Sequence, residues 1–298
     1  MKHLQKKQIQ GSLLILIAVG LFLSCNTKEE EKWVPLLDKG LSQWRTYQSY
    51  ELADSFKVIP PLDEKGEPVS PVGYDKNEKN VFSVAEENGE LVLRISGEIY
   101  GCLFTKEEFQ NYHLRLKVKF GEQKWSPRLN KAMDSGILYH SQGECGVDGW
   151  KSWMLSQELQ VMEGGTPEGN TGDYWPIATS QLKIRASVPE GETNYFYNPD
   201  APLVSFGHGG IQSVCRAQDR TSPKGEWTTV ELICYEGKSL HIVNGHVVMA
   251  LKDSRYWNGT ESLPLVKGKI QLQSEAAEVF YKEIEIKTIK QVPEEYFN

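Results

Sequence analysis

Hydrophobic and polar positions alternate with a period of two through most of the chain beyond residue 80. The cleanest case is Leu114, Leu116, Val118 and Phe120, with His113, Arg115, Lys117 and Lys119 between them. That period puts the apolar side chains on one face of a β-strand and leaves the basic row as a solvated outer face. Phe82 and Val84 begin another run, Asn88-Gly89 follows, and Leu91, Leu93 and Ile95 return. An Asn-Gly pair between alternating runs predicts a two-residue hairpin, and Asn244-Gly245 repeats the signal between Leu240–Val243 and His246–Leu251. Val230, Leu232 and Cys234 form a further run. Ile270 and Leu272 face inward with Gln271 and Gln273 outward, and Phe280, Ile284 and Ile286 close the set. Trp33, Leu36, Leu37 and Trp44 predict an N-terminal strand, whereas 60–80 and 186–226, dense in Pro and Gly, read as loops. No stretch keeps a helical period beyond one short turn. The pattern predicts an all-β sandwich of about a dozen strands.

Within it, Ser156 to Pro176 carries the chemistry. If Leu159 and Val161 face the core, strict alternation puts Glu158, Gln160 and Met162 on the other face. Glu163 then falls on the core side, where an unpaired carboxylate is costly. A β-bulge near Met162 would bring it onto the face of Glu158. Two carboxylates side by side above a sheet can divide acid and base roles. The bland alternative is an edge strand with a solvated face.

The N-terminus changes the setting. A basic Met1–Lys7 stretch precedes an apolar run from Leu13 to Leu23 and then Ser24-Cys25. The run is shorter than the roughly 20 residues that span a bilayer and has the length of a signal-peptide core. A small residue before Cys resembles a bacterial lipobox, so residues 1–24 are expected to be removed and Cys25 to carry lipid; a plain secretory signal is the alternative. Residues 25–32 read as a flexible tether, whose Lys followed by acidic residues resembles a surface-export signal of Bacteroidetes lipoproteins. A lipid anchor in the cell envelope, at the outer membrane, is the expected location. About 265 residues remain without a repeat or linker, which predicts one domain over 33–291 and a C-terminal tail over 292–298. A net charge of −7 with scattered basic residues argues against nucleic acid as a partner. Cys102, Cys145, Cys215 and Cys234 could form two disulfides in an oxidising compartment, with pairing not readable from spacing, and none has zinc spacing.

Several motifs now agree in order with one family. Asp134-Ser135-Gly136-Ile137, the hexapeptide Glu158–Glu163, Gly172-Asp173-Tyr174-Trp175, Gly225-Glu226-Trp227, Val243-Asn244-Gly245, Gly268–Gln273 and Phe280–Ile286 resemble the 3-keto-disaccharide hydrolase family. The resemblance covers about residues 33 to 290. It implies a concanavalin A-like jelly roll of two antiparallel sheets with a concave groove, and cleavage of glycosides already oxidised to a ketone at C3. The hexapeptide also resembles the Glu-x-Asp-x-x-Glu strand of laminarinase-type glucanases, with Gln160 in place of the middle Asp, which puts an unmodified retaining mechanism in doubt.

A 3-keto group acidifies the C2 proton, so cleavage by elimination needs a base, an acid and donors for the developing enolate. Glu158 and Glu163 are the candidate pair, with His140 as a further acid, base or ligand, although a lone strand-end histidine is more often structural. Gln160, Gln271 and Gln273 would hydrogen-bond sugar hydroxyls, or be ordinary solvated strand residues. Tyr174 and Trp175 would stack on a sugar ring or serve as hydrophobic lids. Asp134, Asp173, Arg185, His208 and Arg216 complete the expected substrate contacts. The sequence requires no cofactor; carboxylate, amide and imidazole groups suit a divalent metal, and nothing in the spacing demands one. Carbohydrate is the expected partner. The competing readings are a non-catalytic carbohydrate-binding surface lipoprotein and an ordinary glucanase.

Overall fold

In a computed structural model, residues 32–297 are described. The signal sequence, Cys25 and all of the tether except Lys32 lie outside them. The chain makes two antiparallel sheets that join along one edge. The first, the groove sheet, runs in the order Tyr174–Ile177, Leu155–Met162, Asp134–Gln142, Lys267–Ser274, Gly101–Thr105, Trp44–Gln48 and Gly73–Tyr74. The outer sheet runs Leu203–Gly207, Ser180–Ser187, His246–Trp257, Lys238–Val243, Thr228–Tyr235, Tyr112–Lys124, Ala277–Thr288, Glu90–Ile95 and Phe82–Glu87. This is the concanavalin A-like jelly roll.

Alternation builds the interface between the sheets. Leu159, Val161, Ile137, Ile270, Leu272 and Leu103 pack against Leu114, Leu116, Val118, Val230, Leu232 and Tyr281. Each such fully buried aliphatic side chain contributes about 1.5–3 kcal/mol. The basic row of Tyr112–Lys124 lies on the outer face, as its period predicts. Cross-strand pairs hold it there: His113 with Glu231 at 2.8 Å, Arg115 with Glu285 at 2.7 Å and Lys117 with Glu283 at 2.7 Å. Both Asn-Gly pairs turn hairpins with positive φ at each residue, as a two-residue hairpin of this type requires.

Four expectations change. The segment 186–226 is not plain loop: Tyr195–Tyr197, Leu203–Gly207 and Cys215–Arg216 are short strands, and the first and last of these link the two sheets. With these and other short ladders there are 21 strands among the described residues, more than the dozen predicted. Their runs are too short for a period to show. The tail is also docked, since Val292 and Phe297 are buried against Leu240, Ile242 and Ala250. Finally, no disulfide joins the four cysteines in the structure, where the sequence allowed two. Cys215 and Cys234 lie in separate apolar clusters, while Cys102 and Cys145 stand 3.8 Å apart.

Leu272 is fully buried between the sheets. Leu272→Ala is expected to lower unfolding free energy by about 2–5 kcal/mol, read from urea denaturation.

Candidate active site

The strand Leu155–Met162 shows how the fold builds the site. Leu159 and Val161 fill the core, so Glu158, Gln160 and Met162 emerge on the concave face. In register across the sheet, Glu158 lies beside Trp175 and Leu138, and Gln160 beside Gly136, which in turn neighbours Gln273. A Cβ at Gly136 would stand 2.3 Å from Glu158 Oε1 and 2.5 Å from Gln273 Oε1, so only glycine lets the two side chains converge over that point. The groove has a volume of about 410 Å³. Its walls include Arg128, Asp134, Asp148, Trp150, Trp153 and Glu275.

The charge pattern is asymmetric. Asp134, Asp148, Glu158, Glu168 and Glu275 line the groove, and among its lining residues Arg128 is the one cation. Arg128 Nη2 sits 2.5 Å from both Asp134 and Glu275. The Gln160 amide also donates to Asp134. Burial raises the pKa of all four buried acids of the groove, Asp134, Asp148, Glu158 and Glu275. Arg128 opposes the rise at Asp134 and Glu275. Nothing cationic does so at Glu158: burial comes first, the charges of Glu275 and Asp134 add to it, and the Gln273 side chain only partly offsets them. Glu158 is therefore raised well above the usual carboxylate range with no ion pair to oppose it, the direction a general acid needs. Asp148 serves the wall instead: its carboxylate accepts the N–H groups of Trp150, Ser152 and Trp153, each at 2.7 Å.

Asp134, Glu158, Gln160, Gln273 and Trp175 thus meet in one groove, and Trp175 keeps 36 % exposure, enough to offer its ring to a sugar. The other expected site residues stand elsewhere. Glu163 lies beyond the strand, which ends at Met162; its Oε2 accepts the Met133 N–H at 3.2 Å and its Oε1 faces Lys224 at 3.2 Å. The predicted bulge near Met162 is instead between Leu155 and Gln157. His140 is in the core. Tyr139 and His140 together oppose Ile270 in a bulge, with φ 53° at His140, and its ring lies edge-on to Tyr112 and Tyr139. Burial pushes its pKa down to about 4, partly offset by the Leu265 backbone. Tyr174 pairs with Leu159 and so faces inward, donating to Gln157 Oε1 at 2.7 Å. Asp173 clasps Arg216 at 2.8 Å and the Ala217 N–H at 2.6 Å. Arg185 donates to the Ala201 carbonyl, and His208 stacks on Trp257. Gln271 shares the concave face but is sealed beneath a loop, bonded to the Met154 N–H and Ser141 Oγ.

Arg128, Asp148, Trp150, Trp153, Glu168 and Glu275 were missed by sequence reasoning. Only Glu275 left a signal, since it follows Gln271 and Gln273 at the same two-residue spacing. The others come from loops, where no period operates.

Residues 32–287 match the model of the 3-keto-alpha-glucoside-1,2-lyase-like domain. The chain belongs to this family. It is the family that the ordered motifs resemble, and it is glycoside-acting by name. No curated protein matches the chain. Among solved structures, a provisionally assigned glycosyl hydrolase from Parabacteroides distasonis is 18% identical, with 87% of this chain and 100% of that one covered and a TM-score of 0.46. A galectin-like protein of unknown function from Bacillus subtilis is 13% identical (86% and 94% covered, TM-score 0.41). The Bacillus licheniformis beta-glucanase is 10% identical (87% and 98% covered, TM-score 0.39).

The lyase-like groove does not present a metal cage. Among the described residues no group of three or more His, Cys, Asp or Glu is arranged to hold an ion, and the Arg128 guanidinium occupies the position between Asp134 and Glu275.

Glu158 also makes stability depend on pH. The folded state binds its proton more tightly than the unfolded chain, so the stability this brings is complete below the ordinary value of 4.5 and is lost as pH rises through the folded value. Glu158→Gln, neutral at every pH, escapes that loss. Its melting temperature relative to the parent should therefore climb between pH 4.5 and 8; a constant difference across that range would contradict the assignment.

Proposed function

We propose that the groove cleaves glycosides already oxidised to a ketone at C3. The single observation carrying this is Glu158: a buried carboxyl with no cation to ionise it, set between amides and an exposed tryptophan ring in a sugar-sized groove. A base removes the C2 proton, which the neighbouring ketone acidifies, and the electron pair is held as an enolate. Collapse of the enolate forms the C1–C2 double bond and expels the C1 substituent, whose oxygen takes the proton of Glu158. Addition of water, with hydroxyl to C1 and hydrogen to C2, then completes a net hydrolysis. Glu275 is the proposed base: both Asp134 oxygens are engaged, by Gln160 and Arg128, whereas Glu275 is held through Oε1. Gln160 and Gln273 would orient the ring hydroxyls, and Trp175 would stack on a ring face.

A retaining glucanase mechanism is disfavoured because it needs two free carboxyl groups about 5–5.5 Å apart, and Glu163 lies outside the groove. We further propose that the protein acts from a lipid anchor on Cys25. Metabolic labelling with a fatty acid should mark the parent and spare Cys25→Ser.

The decisive assay compares a 3-keto glucoside with its unoxidised parent and follows aglycone release. Release from the keto compound alone is expected, with kcat reduced by about 10²–10⁴-fold in Glu158→Gln. Release from both compounds would favour an ordinary glycosidase, and sugar binding without release would leave a carbohydrate-binding protein.

A further inference from the structure

The segment between strands Asp134–Gln142 and Leu155–Met162 forms one wall of the groove, and it is fastened to the floor at several points. Trp153 Nε1 donates to the Gly101 carbonyl at 2.9 Å, Ser152 and Ser49 share a hydroxyl contact at 2.6 Å, and the Met154 N–H reaches Gln271 at 3.2 Å. Trp150 stacks on Tyr100 with ring centroids 5.4 Å apart. At the start of the segment Tyr74 accepts the Cys145 N–H at 2.7 Å and donates to Glu144 at 2.6 Å. Cys145 is half-buried, and its Sγ lies 3.8 Å from that of Cys102. Cys102 belongs to the floor itself, paired in register with Gln273.

We propose that Cys102 and Cys145 form a disulfide that staples this wall to the groove floor. The two sulfurs need to approach by less than 2 Å to reach bonding distance, and Cys145 sits on a loop. Cys215 and Cys234 stay reduced, each enclosed in its own apolar cluster. The oxidant is a disulfide of the thiol-oxidoreductase or glutathione class. The more accessible Cys145 thiolate attacks it, releasing one thiol and leaving a mixed disulfide. Cys102, as its thiolate, then attacks the Cys145 sulfur and releases the second thiol. Two protein thiols and one donor disulfide thus become one protein disulfide and two donor thiols. The bond closes a span of 43 residues, enough for a clear loss of unfolded-chain entropy.

The test treats the folded full chain with oxidised glutathione, then counts thiols and maps peptides after denaturation. The expected result is a loss of two thiols, a linked peptide pair containing Cys102 and Cys145, and a melting temperature about 5 °C or more higher than in reductant. Cys145→Ser should fold, keep its thiols at Cys215 and Cys234, and show no such difference. A stable glutathione adduct at Cys145, or a link to any other cysteine, would overturn the pairing. A correct link with an unchanged melting temperature would overturn the staple. None of these readouts depends on glycoside cleavage, so they stand or fall separately from the proposed reaction.

Discussion

Leu159 and Val161 press the Leu155–Met162 strand onto the outer sheet, and the two-residue period then leaves Glu158 and Gln160 nowhere to go but the groove. The neighbouring strands obey the same constraint. Ile137 and Leu272 face the core while Gly136 and Gln273 face the groove, so the packing that holds the sheets together also sets the positions of the polar groups. A one-residue slip of any of these strands would exchange core for site.

The polar side of that arrangement is held in tension. A groove lined by carboxylates would repel itself if all were ionised, and one arginine shared between Asp134 and Glu275 relieves only part of this. The remaining excess falls on Glu158, whose pKa burial and the charges of Glu275, Asp134 and Asp148 push well above the usual carboxylate range. A carboxyl that is unfavourable for stability when ionised is the kind of group that acid catalysis uses. Membership of a lyase-like, glycoside-acting family fits such a site.

The loop walls matter as much as the floor. Trp150 and Trp153 complete a surface that the sheet alone would lack, and Asp148 spends its carboxylate on organising the turn that carries them. The same segment seals Gln271, which shows how a residue on the correct face can still be withdrawn from the site.

The sequence alone determined the all-β class, both Asn-Gly hairpins, the two faces of the central strand and, through ordered motifs, the family. These are local periodicities and turn chemistry, which need no knowledge of distant partners. It also placed Asp134, Glu158, Gln160, Trp175 and Gln273, four of them set by alternation on long strands. Tertiary structure decided the rest. Tyr174 went inward because its neighbour in the sheet is Leu159, and His140 did so because a bulge opposite Ile270 reversed its face. Glu163 was lost because the strand stops one residue earlier. Arg128, Trp150 and Glu168 arrive from loops, and which distant side chains a loop brings over a sheet is fixed by packing between elements rather than by any pattern within one.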